Sequence, residues 1–198
     1  MSKDKKEKEQ DKEDSVFSFS LDEPTPEEPP RVTAIYDDIT EETASEVVGS
    51  FMYFLEDKSC EPVKFVVSSN GGDAHEMFSM YDTMRMVMKD KCEVHTLGLG
   101  KVMSAAVVLL AAGTKGKRKI GRNCRVMIHP VAGGIMGDLA DLENDAKEIR
   151  QIQKNYISCL AKETNLKEEQ IRRIIKKKIN CYISAEKAVE YGIADIII

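Results

Sequence analysis

The chain has 198 residues, of which 42% are hydrophobic and 32% are charged, and its formal net charge is −5. This length and apolar content suit one globular domain with a buried core. The sequence has no basic stripe with interleaved aromatic residues, so its composition argues against a nucleic-acid-binding protein and we expect no nucleic-acid partner.

The cysteines are odd in number and scattered, without a Cys-x-x-Cys motif: Cys60, Cys92, Cys124, Cys159 and Cys181. This pattern predicts neither a disulfide framework nor a zinc site and favours a reducing compartment. The longest apolar run, Val102–Ala112, is too short to span a bilayer, and the N-terminus carries no signal-peptide or transit-peptide pattern. We therefore expect a cytoplasmic protein with no membrane partner, no metal and no cofactor.

Residues 1–30 differ in composition from the rest of the chain. They contain five lysines and ten acidic residues, a difference of −5 that equals the net charge of the whole chain. Such a segment buries too little apolar surface to offset the entropy lost on ordering. We expect residues 1–30 to form an acidic, disordered tail, in which Val16–Phe19 is either incidental or a docking segment. Residues 31–198 are expected to form one folded domain.

From Arg31 onward, short apolar runs alternate with helical periodicities. Strands are predicted at residues 31–36, 62–67, 93–97, 117–120, 125–129 and 195–198. Helices are predicted after Thr40, after Asp73, from Ser104 to Gly113, from Asp138 to about Lys162, after Asn165 and from Ser184 to Tyr191. Repeated strand–helix units predict an α/β domain with a largely parallel sheet.

Ser104 is the first residue with a chemical role to consider. It follows Gly98–Gly100, which we expect to form a turn, and it opens a helix of small and apolar residues. A serine at a helix N-terminus can project its hydroxyl out of the fold, where exposed N–H groups stabilise negative charge. The alternative is a small residue packed inside a buried helix, and position alone favours that alternative.

His129 and the pair Gly71 and Gly72 are the other candidates. His129 ends a strand, and an imidazole with a pKa of about 6.5 suits a general base, although a structural histidine is the alternative. The two glycines lie between a strand and a helix, where backbone N–H groups can approach a ligand, although a simple tight turn is the alternative. Neither they nor the basic segment 113–119, which we expect to be a solvated hairpin, matches a phosphate-binding loop.

Several segments together form one longer pattern: Ser69–Gly72, Met80–Met84, Gly100–Gly113, Gly116–Arg118, Asn123–His129, Gly133–Gly137, Asp141–Glu143 and Ser184–Gly192. This pattern resembles the ClpP-type serine peptidase family from about Arg31 to Ile198, and it keeps nearly the same spacing between the segments as that family. The resemblance implies an α/β, ClpP/crotonase-like fold of repeated βα units with a long protruding handle helix. It also implies an assembly of two stacked heptameric rings.

The resemblance implies a catalytic order of serine, histidine and aspartate. These roles fall on Ser104, His129 and, in the aspartate's place, Asn180. An asparagine can accept the histidine Nδ1–H through its amide oxygen, but it cannot offset the imidazolium charge. In a Ser-His-Asp enzyme this change costs roughly 10⁴ in kcat, so slow or substrate-limited hydrolysis is expected.

The resemblance further implies backbone roles for four residues. Gly72 and Ala105 would donate their N–H groups to the oxyanion, and Gly133 and Gly134 would bind the substrate as an added β-strand. This mode of binding contacts the substrate backbone, so we expect loose side-chain specificity.

The function implied is that of a serine endopeptidase subunit that hydrolyses unfolded polypeptides or peptides with a Clp-type AAA+ unfoldase as partner. Ile179 stands where the family commonly has an arginine that helps to join the rings, and residues 1–30 replace the gating segment. These departures would suit a divergent, phage-encoded version or an accessory subunit of a mixed ring. The alternatives are a non-catalytic structural or regulatory ring subunit and a crotonase-type acyl-CoA enzyme, which would not explain the Ser–His pair.

Overall fold

The computed structural model describes residues 30–56, 61–90, 92–134, 136–177 and 179–198. Of the predicted disordered tail only Pro30 falls within these ranges, so the state of the tail stays a prediction.

Strands and helices alternate along the described chain, with two exceptions. Their bounds are β1 (Val32–Ile35), α1 (Glu41–Glu56), β2 (Val63–Ser69), α2 (Ala74–Lys89), β3 (Val94–Met103), α3 (Ala106–Ala111), β4 (Lys119–Ile120), β5 (Arg125–Ile128), α4 (Leu139–Glu163), α5 (Glu168–Lys176), β6 (Cys181–Ile183), α6 (Ala185–Glu190) and β7 (Ile196–Ile197). The exceptions are that β4 is followed directly by β5 and α4 by α5.

The strands form one seven-stranded sheet. The order is β1-β2-β3-β4-β7, with β5 paired to β3 and β6 paired to β5. Every pair is parallel except β5 with β6, which is antiparallel. The predicted α/β fold with a largely parallel sheet is confirmed. The strand β6 was not predicted, because three residues are too few to display a two-residue period.

The strand β3 is continuous from Val94 to Met103, so the turn predicted at Gly98–Gly100 is wrong. Its register against β2 shifts near this point, and Gly100 has a φ of 61°. Beyond the shift β3 leaves β4 and pairs with β5 through its last three residues. A bulge of this kind bends a strand, and here it directs the end of β3 alongside β5.

Helix α3 lies in the core, with all six of its residues fully buried. Its sequence is apolar on every face, as a helix surrounded by protein requires. It begins at Ala106, two residues later than predicted, so Ser104 lies in the junction between β3 and α3 rather than inside the helix.

Helix α4 is the predicted long helix that protrudes from the domain. The Asp138 carboxylate caps it by accepting from the N–H groups of Ala140 and Asp141 at 2.9 and 3.0 Å. Its first three turns are mostly exposed, whereas its second half buries Ile152, Tyr156, Ile157 and Leu160. The apolar stripe of α4 therefore reaches the interior only over its C-terminal half.

The segment 113–119 was expected to be a solvated hairpin, which is wrong for Arg118. This side chain is 3% exposed. Its Nε donates to Asp195 at 2.8 Å. Its Nη1 donates to carbonyl oxygens at or just beyond the C-terminal ends of α3, α4 and α6, those of Ala111, Glu163 and Gly192, at 3.1, 2.8 and 2.7 Å. A guanidinium is suited to this place, because the C-terminal ends of helices carry partial negative charge.

Candidate active site

The carboxyl ends of three neighbouring parallel strands meet at one edge of the sheet. β2 leads into Gly71 and Gly72, β3 leads into Ser104, and β5 leads into His129. Ligand sites of parallel α/β sheets form at this edge. A cavity of about 660 Å³ lies here, and its lining includes all of the predicted site residues except Asn180: Gly72, Ser104, Ala105, His129, Gly133 and Gly134.

Ser104 occupies a sharp turn between strand and helix. Its φ is 56°, and it is the one non-glycine residue with positive φ in the described part of the chain. Its N–H donates to the carbonyl of Met127 at 2.8 Å, which anchors the turn to β5. The left-handed conformation costs a non-glycine residue roughly 1–2 kcal/mol. Such a turn exposes the hydroxyl of a nucleophile above the sheet, and strain of this kind is concentrated at functional sites.

His129 lies beside this hydroxyl. Its Nε2 is 2.7 Å from Ser104 Oγ, within the distance at which an imidazole can take a proton from an alcohol. Burial lowers the pKa of His129 below its usual value, so the ring is neutral at neutral pH and able to accept that proton. The Nδ1 atom makes no hydrogen bond to any residue that the structure describes.

Gly71 lets the loop after β2 approach the serine closely. A Cβ on Gly71 would lie 2.6 Å from Ser104 Cβ and 3.0 Å from the Ala105 nitrogen. Its φ of 96° is also one that side chains rarely adopt. Gly71 thus brings the backbone of the next residue to the edge of the cavity.

Within the described residues, the N–H groups of Gly72 and Ala105 are both available to a ligand. The Ile39 N–H donates to the Gly71 carbonyl oxygen at 2.7 Å, and the Ile39 carbonyl oxygen accepts from the Asp73 N–H at 2.8 Å. These two hydrogen bonds lie on either side of Gly72 and do not involve its N–H. Neither this N–H nor that of Ala105 has an acceptor among the described residues. Two unpaired donors that border the same cavity as Ser104 suit an oxyanion.

Gly133 and Gly134 follow β5 as exposed backbone without regular secondary structure. A Cβ on Gly133 would lie 2.9 Å from the terminal Cδ1 atom of Ile149, so this segment lies close to a side chain of α4. Their position along the cavity is compatible with the predicted strand addition, which stays a prediction.

Comparison with known proteins decides the family. The model of the Clp protease family matches residues 29–198. The chain belongs to the Clp protease family. It is 43% identical over 134 residues to the ATP-dependent Clp protease proteolytic subunit 2 of Corynebacterium jeikeium, a match that covers 67% of this chain and 62% of that protein. It is 33% identical over 168 residues to the proteolytic subunit 2 of Chlamydia trachomatis serovar D, with 85% and 80% covered. The family predicted from the residue pattern is confirmed.

Asn180, which was predicted as a site residue, is not among the residues that line the cavity. The antiparallel ladder of β5 and β6 ends at Ile128 opposite Cys181, so the next position along it places Asn180 opposite His129. The Asn180 side chain is exposed and makes no hydrogen bond to His129 or to any other described residue. Its role as the third catalytic residue stays a prediction.

The cavity of this Clp protease family member is lined by carboxylates. The acidic residues are Asp38, Asp73, Asp145 and Glu148, and no lysine or arginine is among the described lining residues. Asp38 accepts from Asn70 Nδ2 at 3.0 Å, and Asp73 caps α2. Asp145 and Glu148 are exposed on α4 and make no ion pair within the described residues.

The sequence prediction missed Tyr156 as a cavity residue. Its place in the apolar stripe of the long helix indicated only burial, which the structure confirms at 4% exposure. Its hydroxyl donates to the Ser104 carbonyl oxygen at 3.2 Å, a contact between residues 52 positions apart that no local pattern displays.

No helix of the described chain is long and apolar enough to cross a lipid bilayer. The same residues contain no group of three or more His, Cys, Asp or Glu side chains arranged to hold a metal ion.

Proposed function

We propose that this chain is a ClpP-type serine endopeptidase subunit, because Ser104 Oγ lies 2.7 Å from His129 Nε2 beside two backbone N–H groups that have no acceptor among the described residues. Ser104 attacks the carbonyl carbon of the scissile peptide bond while His129 Nε2 takes the hydroxyl proton. The same proton then passes to the leaving amine as the C–N bond breaks. The N–H groups of Gly72 and Ala105 stabilise the oxyanion of the tetrahedral intermediate.

The substrate in this proposal is an unfolded polypeptide or peptide. The exposed backbone of Gly133 and Gly134 pairs with it as an added strand, which leaves the scissile bond next to Ser104. Because such pairing contacts backbone groups, sequence selection by this segment is loose.

In this proposal Asn180 is the third residue of the site, and it supports His129 less strongly than an aspartate would. Its amide oxygen accepts from His129 Nδ1 after a side-chain rotation, which its exposed position permits. Because the amide has no charge to offset the imidazolium, turnover is slow.

The names of the relatives, which are proteolytic subunits of ATP-dependent Clp proteases, support a proposed assembly and partner. We place this chain in two stacked heptameric rings in the cytoplasm, supplied with unfolded chains by a Clp-type AAA+ unfoldase. Phage origin and membership of a mixed ring stay predictions.

A fluorophosphonate probe tests the peptidase proposal, since it phosphonylates only an activated serine. Stoichiometric labelling of the purified wild-type protein, and none of Ser104→Ala, is the expected result. The second candidate function, a non-catalytic ring subunit, is favoured by the exposed Asn180 side chain, which makes no hydrogen bond to His129. Wild-type rings that assemble and do not label would support that candidate instead.

A further inference from the structure

The hydroxyl of Tyr156 contacts the backbone of the proposed nucleophile and has no assigned role in the reaction. It donates to the Ser104 carbonyl oxygen at 3.2 Å from the buried half of α4. Burial raises the pKa of Tyr156 well above its usual value, so the hydroxyl keeps its proton and stays a donor throughout the working pH range.

The carbonyl that Tyr156 contacts belongs to the same peptide group as the Ala105 N–H. A peptide group is planar and trans, so its C=O and N–H point in opposite directions. A donor that holds the Ser104 oxygen therefore also sets the direction of the Ala105 N–H. That N–H borders the cavity and, like the Gly72 N–H, has no acceptor in the described part of the chain.

The Ser104–Ala105 peptide needs an external restraint because it follows a residue in an unfavourable conformation. Ser104 has a φ of 56°, which is unfavourable for a residue with a side chain, and a relaxed φ would rotate the peptide plane. One hydrogen bond to its carbonyl comes from the Val107 N–H at 3.1 Å, within the first turn of α3. The Tyr156 hydroxyl is a donor to this carbonyl from a different element, α4. The stabilisation that one hydrogen bond provides is of the same order as the cost of the left-handed conformation.

We propose that Tyr156 is a positioning residue that holds the Ser104–Ala105 peptide so that the Ala105 N–H points at the developing oxyanion. This inference rests on the proposed peptidase function. Its effect is on the transition state, because the oxyanion forms only there, and not on the binding of the ground-state substrate.

The test is Tyr156→Phe, which removes the hydroxyl and keeps the ring. We expect kcat and the rate of fluorophosphonate labelling to fall about three- to tenfold, the effect of one lost hydrogen bond, with KM unchanged. The affinity for a peptide boronate, which mimics the tetrahedral intermediate, should fall by the same factor as kcat/KM. The acidic limb of the pH profile should stay in place, because His129 is untouched.

Tyr81→Phe is the matched control. The Tyr81 hydroxyl is also buried and hydrogen-bonded, to Glu163 at 2.8 Å, and it does not line the cavity. This variant should keep the wild-type kcat and boronate affinity. A wild-type kcat in Tyr156→Phe, an effect confined to KM, or an equal loss in both variants would overturn the inference.

Failure of the inference and failure of the proposed function give different results. If the fluorophosphonate probe labels the wild-type protein and Tyr156→Phe at the same rate, only the inference fails. If the probe does not label the wild-type protein, the proposed function fails.

In that second case, amide hydrogen exchange still tests whether Tyr156 restrains the Ser104–Ala105 peptide. The Val107 N–H is bonded to the carbonyl that Tyr156 holds, so it should exchange faster in Tyr156→Phe than in the wild type. An unchanged exchange rate there contradicts the inference.

Discussion

Ser104 and His129 lie 25 residues apart in the chain, yet their side chains are joined at 2.7 Å. The contact arises because β3 and β5 are parallel neighbours whose last paired residues are Met103 and Met127. A shift of one residue in this register would turn one of the two side chains to the opposite face of the sheet. The proposed chemistry therefore depends on the pairing of these two short stretches of strand.

The pH dependence of hydrolysis should report the His129 ring. Its pKa is lowered by burial, so the neutral, proton-accepting form persists below the usual value of about 6.5. We expect the acidic limb of kcat/KM to have its midpoint below pH 6.5. A profile of kcat/KM for a fluorogenic peptide between pH 4 and 9 measures it, and a midpoint above 6.5 would contradict the lowered pKa.

Asn180→Asp should increase peptide hydrolysis. A carboxylate opposite His129 can accept from Nδ1 and stabilise the imidazolium, so kcat should rise at least about tenfold, with roughly 10⁴ as the upper bound. A nearby negative charge favours the protonated ring, so the acidic limb should also move to higher pH. An unchanged kcat and an unmoved limb would show that Asn180 is not the third residue of the site.

Gly71→Ala should abolish most of the activity. A Cβ at this position would lie 2.6 Å from Ser104 Cβ, so the serine must shift, and a displacement of about 1 Å can cost ~10²-fold in rate. Gly116→Ala is the control, because Gly116 also has a positive φ, of 84°, but a Cβ there meets nothing within 4 Å. Both variants should lose stability, measured by urea unfolding, and only Gly71→Ala should lose kcat. Equal kcat in the two variants would argue against the close approach at Ser104.

Arg118→Met should destabilise the domain by about 3–5 kcal/mol, because it leaves the Asp195 carboxylate without its buried partner. Burial raises the pKa of Asp195, but the hydrogen bonds from Arg118 outweigh it, and the net pKa is lowered. The contribution of the pair is therefore present above the unfolded pKa of about 3.9 and is lost as the pH falls through the lower folded value.

Urea unfolding at fixed protein concentration measures this loss. Arg122→Met is the control, because Arg122 is 70% exposed and its ion pair with Glu186 is long, at 4.0 Å. It should change the free energy of unfolding by no more than about 0.5 kcal/mol. Similar losses in both variants would mean that burial does not distinguish the two arginines.

The carboxylates of the cavity should favour cationic substrates. Peptides flanked by lysine should have a lower KM than otherwise identical peptides flanked by glutamate. Because Asp145 and Glu148 are exposed, each should contribute at most about fivefold, and the preference should shrink at high salt.

Neutralisation of these side chains checks the origin of the preference. Asp145→Asn and Glu148→Gln should each weaken it, whereas Glu143→Gln, on an exposed part of the same helix that does not line the cavity, should not. An equal KM for the two peptides in the wild type would remove the electrostatic argument.

Local patterns were sufficient for much of the fold and for part of the site. The apolar stripe in 138–162 predicted α4, and the glycines at 71 and 72 indicated the close backbone approach that the structure displays. The motif around Ser104 and His129 predicted two side chains that the structure joins. Each of these signals lies within a window of a few residues or repeats at a regular spacing.

The errors and omissions concern residues whose partners are distant in the chain. The turn predicted at Gly98–Gly100 is a strand with a bulge, because pairing with β2 and β5 outweighs the local preference of glycine for turns. Arg118 was expected in solvent, but Asp195 and three helix ends surround it. The contact of Tyr156 with Ser104 likewise joins two elements that only packing brings together.

The sequence by itself determined the periodicity of the helices, the glycine positions and the family, because these follow from residue types at short, regular intervals. Only the tertiary structure decided that the serine hydroxyl meets the imidazole and that Asn180 is exposed. It also decided that the N–H groups of Gly72 and Ala105 border one cavity and have no acceptor among the residues that the structure describes. The physical reason is that hydrogen bonds, burial and strand register are properties of pairs of residues, and the members of these pairs meet only when the chain folds.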